Sequence, residues 1–123
     1  DQRLIVEGKF VDDTGYELMK KVLDRGIVPS GVIACDDLLA FGAIKYLNEK
    51  GLRVPDDVAV AGFNNVPLSN YFTPPLTSVE INAFSLGAKA FELFMSGMKS
   101  EHKSFNRAII PAELVIREST QKK

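Results

Sequence analysis

The sequence predicts an α/β fold in which a parallel sheet is flanked by helices. Short apolar runs alternate along the chain with stretches whose apolar residues recur at helical spacing, in the order strand, helix, strand, helix, strand. Runs without a polar face are typical of strands buried in a parallel sheet, whose crossovers are right-handed. We therefore expect a sheet that helices cover on both faces.

The predicted elements follow one another with short connections. They are, in chain order, a strand at 3–8, a helix at 14–26, a strand at 32–35, a helix at 38–51, a strand at 58–63, a helix at about 82–99 and a strand-like segment at 108–119. Asp36 or Asp37 is expected to cap the second helix. The segment 64–82 is rich in Asn, Ser and Pro, which predicts a loop with one helical turn.

The composition excludes several classes of protein. The 123 residues suit one domain, and a net charge of −1 gives no general attraction to nucleic acid or anionic membranes. One cysteine excludes a disulfide framework. No apolar run approaches the roughly 18 residues of a membrane span, so we expect no membrane segment. The single cysteine leads us to expect a cytoplasmic protein.

The strand ends carry the candidate ligand-binding residues, because ligands of open parallel sheets bind beyond the carboxyl ends of the strands. These residues are Phe10, Asp36, Phe63 and Asn64. Carboxylates and amides hydrogen-bond to hydroxyl-rich ligands, and an aromatic ring packs on the apolar face of a sugar. Simpler interpretations remain open: a helix cap for Asp36, a core position for either ring, and turn geometry for the amide.

No pattern in the sequence predicts catalysis or a metal site. His102 lies in a polar loop and suits solvent, while Cys35 ends a buried strand and suits a packed core thiol. Phosphate-binding glycine motifs, paired cysteines and calcium-loop spacing do not occur in the sequence. We therefore predict a protein that is not an enzyme and that needs no cofactor or metal.

Several motifs in order resemble the lactose-repressor/galactose-repressor (LacI/GalR) family of bacterial transcription regulators. They are CDDLLAFGAIKYLNEKGLRVPDDVAVAGFNN, FTPPLTSVEIN, LGAKAFELF and IIPAELVIREST, and the resemblance runs over essentially the whole chain. It implies a sugar-binding-protein-like core of two α/β subdomains with the ligand between them. Residues 1–123 are then the C-terminal portion of that core, of the periplasmic binding protein type I kind.

The resemblance also implies roles for single residues. Phe10 matches an aromatic residue that packs against the effector, and Asp36 and Asn64 match positions that are often Asn and Asp in the family. The usual amide and carboxylate are therefore exchanged here, which alters the layout of donors and acceptors. Phe41 and Phe72 match apolar residues at the family's dimer contact.

The function implied by the resemblance is that of an effector-sensing domain in a transcriptional regulator. The effector is expected to be a sugar or a related small polar metabolite, and the partners are a second copy of the protein and operator DNA. The helix at about 82–99 is expected to belong to the N-terminal subdomain, and the DNA-binding headpiece to lie outside this chain. The alternatives are a sugar-binding protein of an uptake system and a small α/β enzyme, which only the fold supports.

Overall fold

A four-stranded sheet with its helices organises the computed structural model, which describes residues 2–8, 14–99 and 106–122. The helices and strands are α1 (Gly15–Leu23), β1 (Gly31–Ile33), α2 (Asp37–Glu49), β2 (Ala59–Phe63), β3 (Thr77–Glu80), α3 (Ala83–Lys99) and β4 (Glu113–Val115). Short 3₁₀ turns occur at Gln2–Leu4, Pro67–Asn70 and Glu118–Thr120. From α1 to β2 the alternation of helices and strands follows the prediction.

The sheet has the strand order β1-β2-β3-β4, in which the first three strands are parallel and β4 is antiparallel to β3. The prediction of an α/β fold with a mostly parallel sheet is thus confirmed, and the last strand makes the sheet mixed. Val32 pairs with Val60, and Phe63 pairs with Val79. Because β1, β2 and β3 are parallel, their carboxyl ends lie at one edge of the sheet.

Side chains cap the N-termini of α1 and α2. Thr14 Oγ1 accepts the backbone N–H of Glu17 at 3.4 Å, and Asp36 Oδ1 accepts that of Leu38 at 2.8 Å. Both side chains satisfy donors that a first helical turn leaves without partners. The predicted cap of the second helix is confirmed, and it is Asp36.

Helices α1 and α2 cross at glycines, where their backbones touch. A Cβ atom on Gly15 would lie 1.7 Å from the carbonyl oxygen of Leu39, and one on Gly42 would lie 2.6 Å from the backbone nitrogen of Tyr16. No side chain fits between backbones this close. The crossing places the N-terminus of α2, with Asp36 and Asp37, beside the end of β1.

The hydrophobic core lies on the face of the sheet that α2 covers. Its fully buried members include Ile44 and Leu47 of α2, Val58 just before β2, Val60 within β2, and Leu76 before β3. Each large aliphatic side chain removed from water contributes about 1.5–3 kcal/mol. This packing fixes α2 against β2 and thereby fixes the start of α2 beside the carboxyl ends of the parallel strands.

The opposite face of the sheet is open in the described residues, so the expectation that helices cover both faces is wrong for them. Ile33 is 90% exposed, and Phe63 and Leu114 on the same face are also exposed. The predicted strand at 32–35 was expected to be buried on both faces; instead β1 is an exposed edge strand. A short apolar run indicates a strand but does not reveal whether both of its faces are covered.

Two further predictions are corrected. The segment 3–8 forms a 3₁₀ turn and irregular chain instead of a strand, and the Arg25 guanidinium donates to the carbonyls of Arg3 at 2.6 Å and Ile5 at 3.2 Å. Residues Thr77–Glu80, predicted as loop, form β3, which main-chain pairing with β2 and β4 holds. The predicted helical turn in that segment is present at Pro67–Asn70.

Helix α3 agrees with the predicted helix at about 82–99 and exposes most of its large apolar side chains. Phe84 is 87% exposed, and Phe91 and Phe94 are each 63% exposed. An apolar patch of this kind indicates a surface that another part of a protein covers.

Among the described residues, no helix combines the length and the apolar character that crossing a membrane requires.

The glycine crossing gives a matched pair of substitutions. Gly15→Ala should lower the free energy of unfolding by about 1–3 kcal/mol, because the new methyl overlaps the α2 backbone. Gly87→Ala in α3 meets no atom within 4 Å and should raise the free energy of unfolding by about 0.5–1 kcal/mol. Urea unfolding monitored by circular dichroism measures both, and equal effects of the two substitutions would contradict the crossing.

Candidate functional site

The candidate site is the row of polar residues at the carboxyl ends of β1, β2 and β3, which we call the polar edge: Asp36, Asn64, Asn65 and Glu80. Asp36 follows β1, the two asparagines follow β2, and Glu80 ends β3. The parallel arrangement of the three strands brings together side chains that are up to 44 residues apart in the sequence. Of the predicted ligand-binding residues, Asp36 and Asn64 lie close together here, and their role in binding stays a prediction.

Asp36 and Asn64 form a hydrogen-bonded pair. Asn64 Nδ2 donates to Asp36 Oδ2 at 2.8 Å, while the other carboxylate oxygen caps α2. Asp36 is buried and Asn64 is half-buried. Asp36 is therefore a cap and a member of the polar edge at the same time, and it fixes the orientation of the Asn64 amide.

The Asn64 amide keeps binding capacity towards solvent. Within the part of the chain that the structure describes, its Oδ1 has no hydrogen-bond partner, and only one of its two N–H donors is engaged. An amide so oriented leaves one acceptor and one N–H donor for another partner. Hydroxyl groups, which both donate and accept, match this pair.

Asp37 is a buried carboxylate that accepts hydrogen bonds from the segments next to the polar edge. Its Oδ2 accepts the backbone N–H of Val66 at 2.8 Å and the hydroxyl of Ser69 at 2.7 Å, and its Oδ1 accepts the hydroxyl of Ser78 at 2.6 Å. A Cβ atom on Gly62 would lie 2.2 Å from Oδ1, so β2 needs glycine there. The sequence offered Asp37 as a helix cap or as a strand-end binding residue, and its role as a buried acceptor was missed because its partners lie 29–41 residues away.

The Asn65 amide bridges a cation and an anion. Arg117 Nη2 donates to Asn65 Oδ1 at 2.8 Å, and Asn65 Nδ2 donates to Glu80 Oε2 at 3.0 Å. The backbone N–H of Asn65 also donates to Ser78 Oγ at 3.0 Å. We call the three residues Asn65, Glu80 and Arg117 the Asn65 bridge.

Glu80 uses both of its carboxylate oxygens. One accepts from Asn65, and the other, Oε1, accepts the backbone N–H of Asn82 at 2.8 Å. These hydrogen bonds, that of Asn65 first, hold the pKa of the Glu80 carboxyl below its usual range. Glu80 is therefore an anion at neutral pH that stabilises the turn from β3 to α3.

Arg117 anchors the bridge to the sheet. Its Nη1 donates to the carbonyl of Leu76 at 2.6 Å, and its backbone N–H donates to Thr77 Oγ1 at 2.8 Å. Ser119, close by, donates to the carbonyl of Val60 at 2.6 Å and accepts from the N–H of Thr77 at 2.8 Å. Sequence reasoning did not single out Arg117, since nothing near it in the sequence indicates its partners.

The aromatic residues predicted for the site have different positions. Phe63 ends β2 and is 38% exposed, so it lies beside Asn64 and outside the core. Phe10 lies outside the described residues. Phe41 and Phe72 stack on each other with ring centroids 4.4 Å apart, and Phe41 is buried in the core.

Cys35 is exposed, which corrects the prediction of a packed core thiol. The thiol follows the edge strand β1, and the edge position leaves it uncovered. His102 lies outside the described residues. Among the described residues, no group of three potential metal-binding side chains occurs.

A family model described as the periplasmic binding protein-like domain matches residues 2–120. The chain belongs to this family. The repressor named HTH-type transcriptional repressor PurR of Histophilus somni (strain 129Pt) is 40% identical over 117 residues, which are 95% of this chain and 35% of that protein. This periplasmic binding protein-like chain thus spans about a third of the length of the curated relatives it matches.

Two solved structures resemble this periplasmic binding protein-like domain closely. A complex of the transcriptional regulator CelR with cellobiose has a TM-score of 0.88 at 32% identity, over 97% of this chain and 36% of that one. A lac repressor dimer bound to operator and the anti-inducer ONPF has a TM-score of 0.79 at 29% identity, over 86% of this chain and 32% of that one. The resemblance to LacI/GalR regulators is confirmed, and the named relatives are regulators of transcription and not enzymes.

The hydrogen bond from Asn65 gives a measurable pH effect in this periplasmic binding protein-like domain. An NMR titration should place the pKa of Glu80 below the usual value of about 4.3, and Asn65→Gly should move it upward, because the charged form loses a donor. Since the folded-state pKa is the lower one, Glu80 contributes its stability above the unfolded-state pKa and loses it as the pH falls through the folded-state pKa. A Glu80 pKa that is the same in both proteins contradicts the bridge.

Proposed function

We propose that this chain is part of the effector-sensing domain of a DNA-binding transcriptional regulator. Residues 1–123 form the C-terminal portion of that domain, and α3 packs within its N-terminal subdomain. The DNA-binding headpiece lies elsewhere in the longer protein. The chain binds its effector and catalyses no reaction.

The observation that carries this proposal is the Asn64 amide, which is fixed by Asp36 and presents an unpartnered acceptor at the end of β2. Phe63 beside it offers an exposed ring to the apolar face of a ligand. A polar group held in a fixed orientation beside an aromatic surface suits a sugar or a related small polar metabolite. Phe10 completes the ligand-binding set as the aromatic contact from the segment after residue 8.

The known proteins support the same assignment. The PurR relative is named a helix-turn-helix-type transcriptional repressor, and the structural neighbour CelR is complexed with cellobiose. The lac repressor neighbour is a dimer bound to operator. Each of these properties belongs to the relative named with it. Taken together, they favour a sugar-responsive repressor over a sugar-binding protein of an uptake system.

The mechanism follows from the position of the polar edge at the end of the sheet. An effector that contacts Asn64 and the second subdomain together stabilises the closed arrangement of the two subdomains. Closure shifts the relative positions of the headpieces in a dimer and changes operator affinity. The effector can shift the equilibrium between the open and closed states only by as much as its affinities for those two states differ.

The dimer contact is proposed at the aromatic patch, which consists of Leu38, Phe41, Leu68, Tyr71 and Phe72. Phe41 anchors the patch in the core, and Phe72 stacks on it. The other three side chains are exposed, Tyr71 the most. An exposed apolar patch on a rigid anchor fits a self-complementary contact between two copies.

The first test of this function is effector binding by the product of the complete gene. Calorimetric titration with mono- and disaccharides, cellobiose among them, should identify a ligand, and Asn64→Gly should weaken its binding about tenfold or more through loss of a hydrogen bond. Glycine retains the positive φ of 97° at this position, so the turn persists. Unchanged affinity for the ligand would refute the role of Asn64.

A charge exchange supplies the control for that experiment. Asn64→Asp alone places a second carboxylate where the amide contacts Asp36 at 2.8 Å, so it should weaken effector binding by repulsion. Combining it with Asp36→Asn restores one carboxylate and one amide and should recover binding. Sugar binding by a gene product that selects no DNA sequence would instead assign the protein to sugar uptake, and binding of heterocyclic bases alone would exclude a sugar effector.

The dimer contact is tested by light scattering on the same gene product. Tyr71→Ser combined with Leu68→Ser should weaken the dimer at least tenfold, because two exposed apolar side chains leave the aromatic patch. Val28→Ser removes another exposed apolar side chain, one outside the aromatic patch, and is the matched control that should leave the dimer intact. A dimer that responds to Val28→Ser and not to the patch variants would refute the contact at the aromatic patch.

A further inference from the structure

Three asparagines bend the chain at the polar edge. Among the described residues, the non-glycine residues with positive φ are Asn64 at 97°, Asn65 at 48° and Asn82 at 45°. Asparagine tolerates this conformation better than other side chains. Asn64 and Asn65 turn the chain after β2, and Asn82 turns it between β3 and α3.

The Asn65 amide is held at both of its ends. Its oxygen accepts from the Arg117 guanidinium, and its nitrogen donates to the Glu80 carboxylate. Because one end faces a cation and the other an anion, rotating the amide by half a turn would oppose donor to donor and acceptor to acceptor. Asn65 therefore has one orientation, and that orientation fixes the Glu80 carboxylate.

Glu80 passes this constraint to α3. Its second oxygen holds the backbone N–H of Asn82, whose side-chain oxygen accepts the N–H of Ser85 at 3.1 Å. The carbonyl of Asn82 accepts the N–H of Leu86, also at 3.1 Å. The first turn of α3 is thus built on Asn82, and Asn82 is held by Glu80.

We propose that Asn65 is a positioning residue that couples the ligand-facing Asn64 to the first turn of α3 through Glu80 and Asn82. The part of this inference that concerns ligand response rests on the proposed function, whereas the positioning of α3 does not. Asn64 and Asn65 share one tight turn, so a ligand that shifts the backbone at Asn64 also shifts the Asn65 amide. The shift reaches Asn82 because each link is a direct hydrogen bond.

Hydrogen exchange on the product of the complete gene, measured without any ligand, tests the coupling. Asn65→Gly retains the positive φ and removes only the amide, so the N–H groups of Asn82, Ser85 and Leu86 should exchange about tenfold faster, although they lie at least 17 residues away in sequence. Asn64→Gly is the matched control: it makes the same change one residue earlier, removes the contact to Asp36, and should leave those three rates unchanged.

Two results would overturn the proposal. One is an unchanged exchange rate at Asn82 and Ser85 in Asn65→Gly, and the other is equal acceleration by the two glycine variants, which indicates general loosening. If Asn65→Gly does not fold, Glu80→Gln is compared with Glu113→Gln, whose exposed carboxylate lies opposite on β4. Only Glu80→Gln should accelerate exchange, since an amide cannot accept at both positions.

The experiments can refute the coupling through Asn65 and the proposed function independently of each other. Absence of effector binding to the complete gene product removes the ligand response but leaves the exchange rates at Asn82 and Ser85 as predicted. Unchanged exchange in Asn65→Gly removes the coupling while effector binding at Asn64 can still be measured.

Discussion

The buried carboxylate of Asp37 is the interaction on which the polar edge depends. It has no contact with solvent, and burying a charge without partners is costly, so its three donors are required to keep it in place. Those donors come from the loop after β2 and from β3, and the carboxylate itself begins α2, where the helix N-terminus favours a negative charge. The Asp37 side chain therefore connects three segments: the start of α2, the loop after β2, and β3.

The neighbouring residues Asn64 and Asn65, which follow β2, make different contacts. Asn64 donates to Asp36 and leaves its amide oxygen without a partner among the described residues, whereas both ends of the Asn65 amide are engaged, by Arg117 and by Glu80. The two amides follow β2 in one turn with positive φ, which directs them differently. The amide with an open acceptor and the amide that is engaged at both ends are thus neighbours in the sequence.

The sequence predicted the parts of this arrangement that depend on local pattern or on parallel topology. Helices α2 and α3 follow from apolar spacing, and the meeting of Asp36 with Asn64 follows from parallel strands ending at one edge. It did not predict β3, because Thr77–Glu80 carries one large apolar residue and is a strand through its neighbours. Arg117 was missed for a similar reason: its partners Leu76 and Asn65 are 41 and 52 residues away, and no local signal marks such a contact.

The charges at the polar edge also restrict what can bind there. Asp36 and Glu80 are carboxylates, and the Arg117 guanidinium is already engaged by Asn65 and the carbonyl of Leu76. An anionic ligand would therefore meet two negative charges, while the donors of Arg117 are directed towards Asn65 and Leu76. Solvent and salt screen the repulsion between charges poorly in a partly buried site. A neutral ligand with hydroxyl groups avoids this repulsion and still uses the acceptor and donor of Asn64. Under the proposed function, the arrangement of Asn64 and Asp36 therefore favours a neutral, hydroxyl-bearing effector, and the negative charge of the pair lies on its buried side.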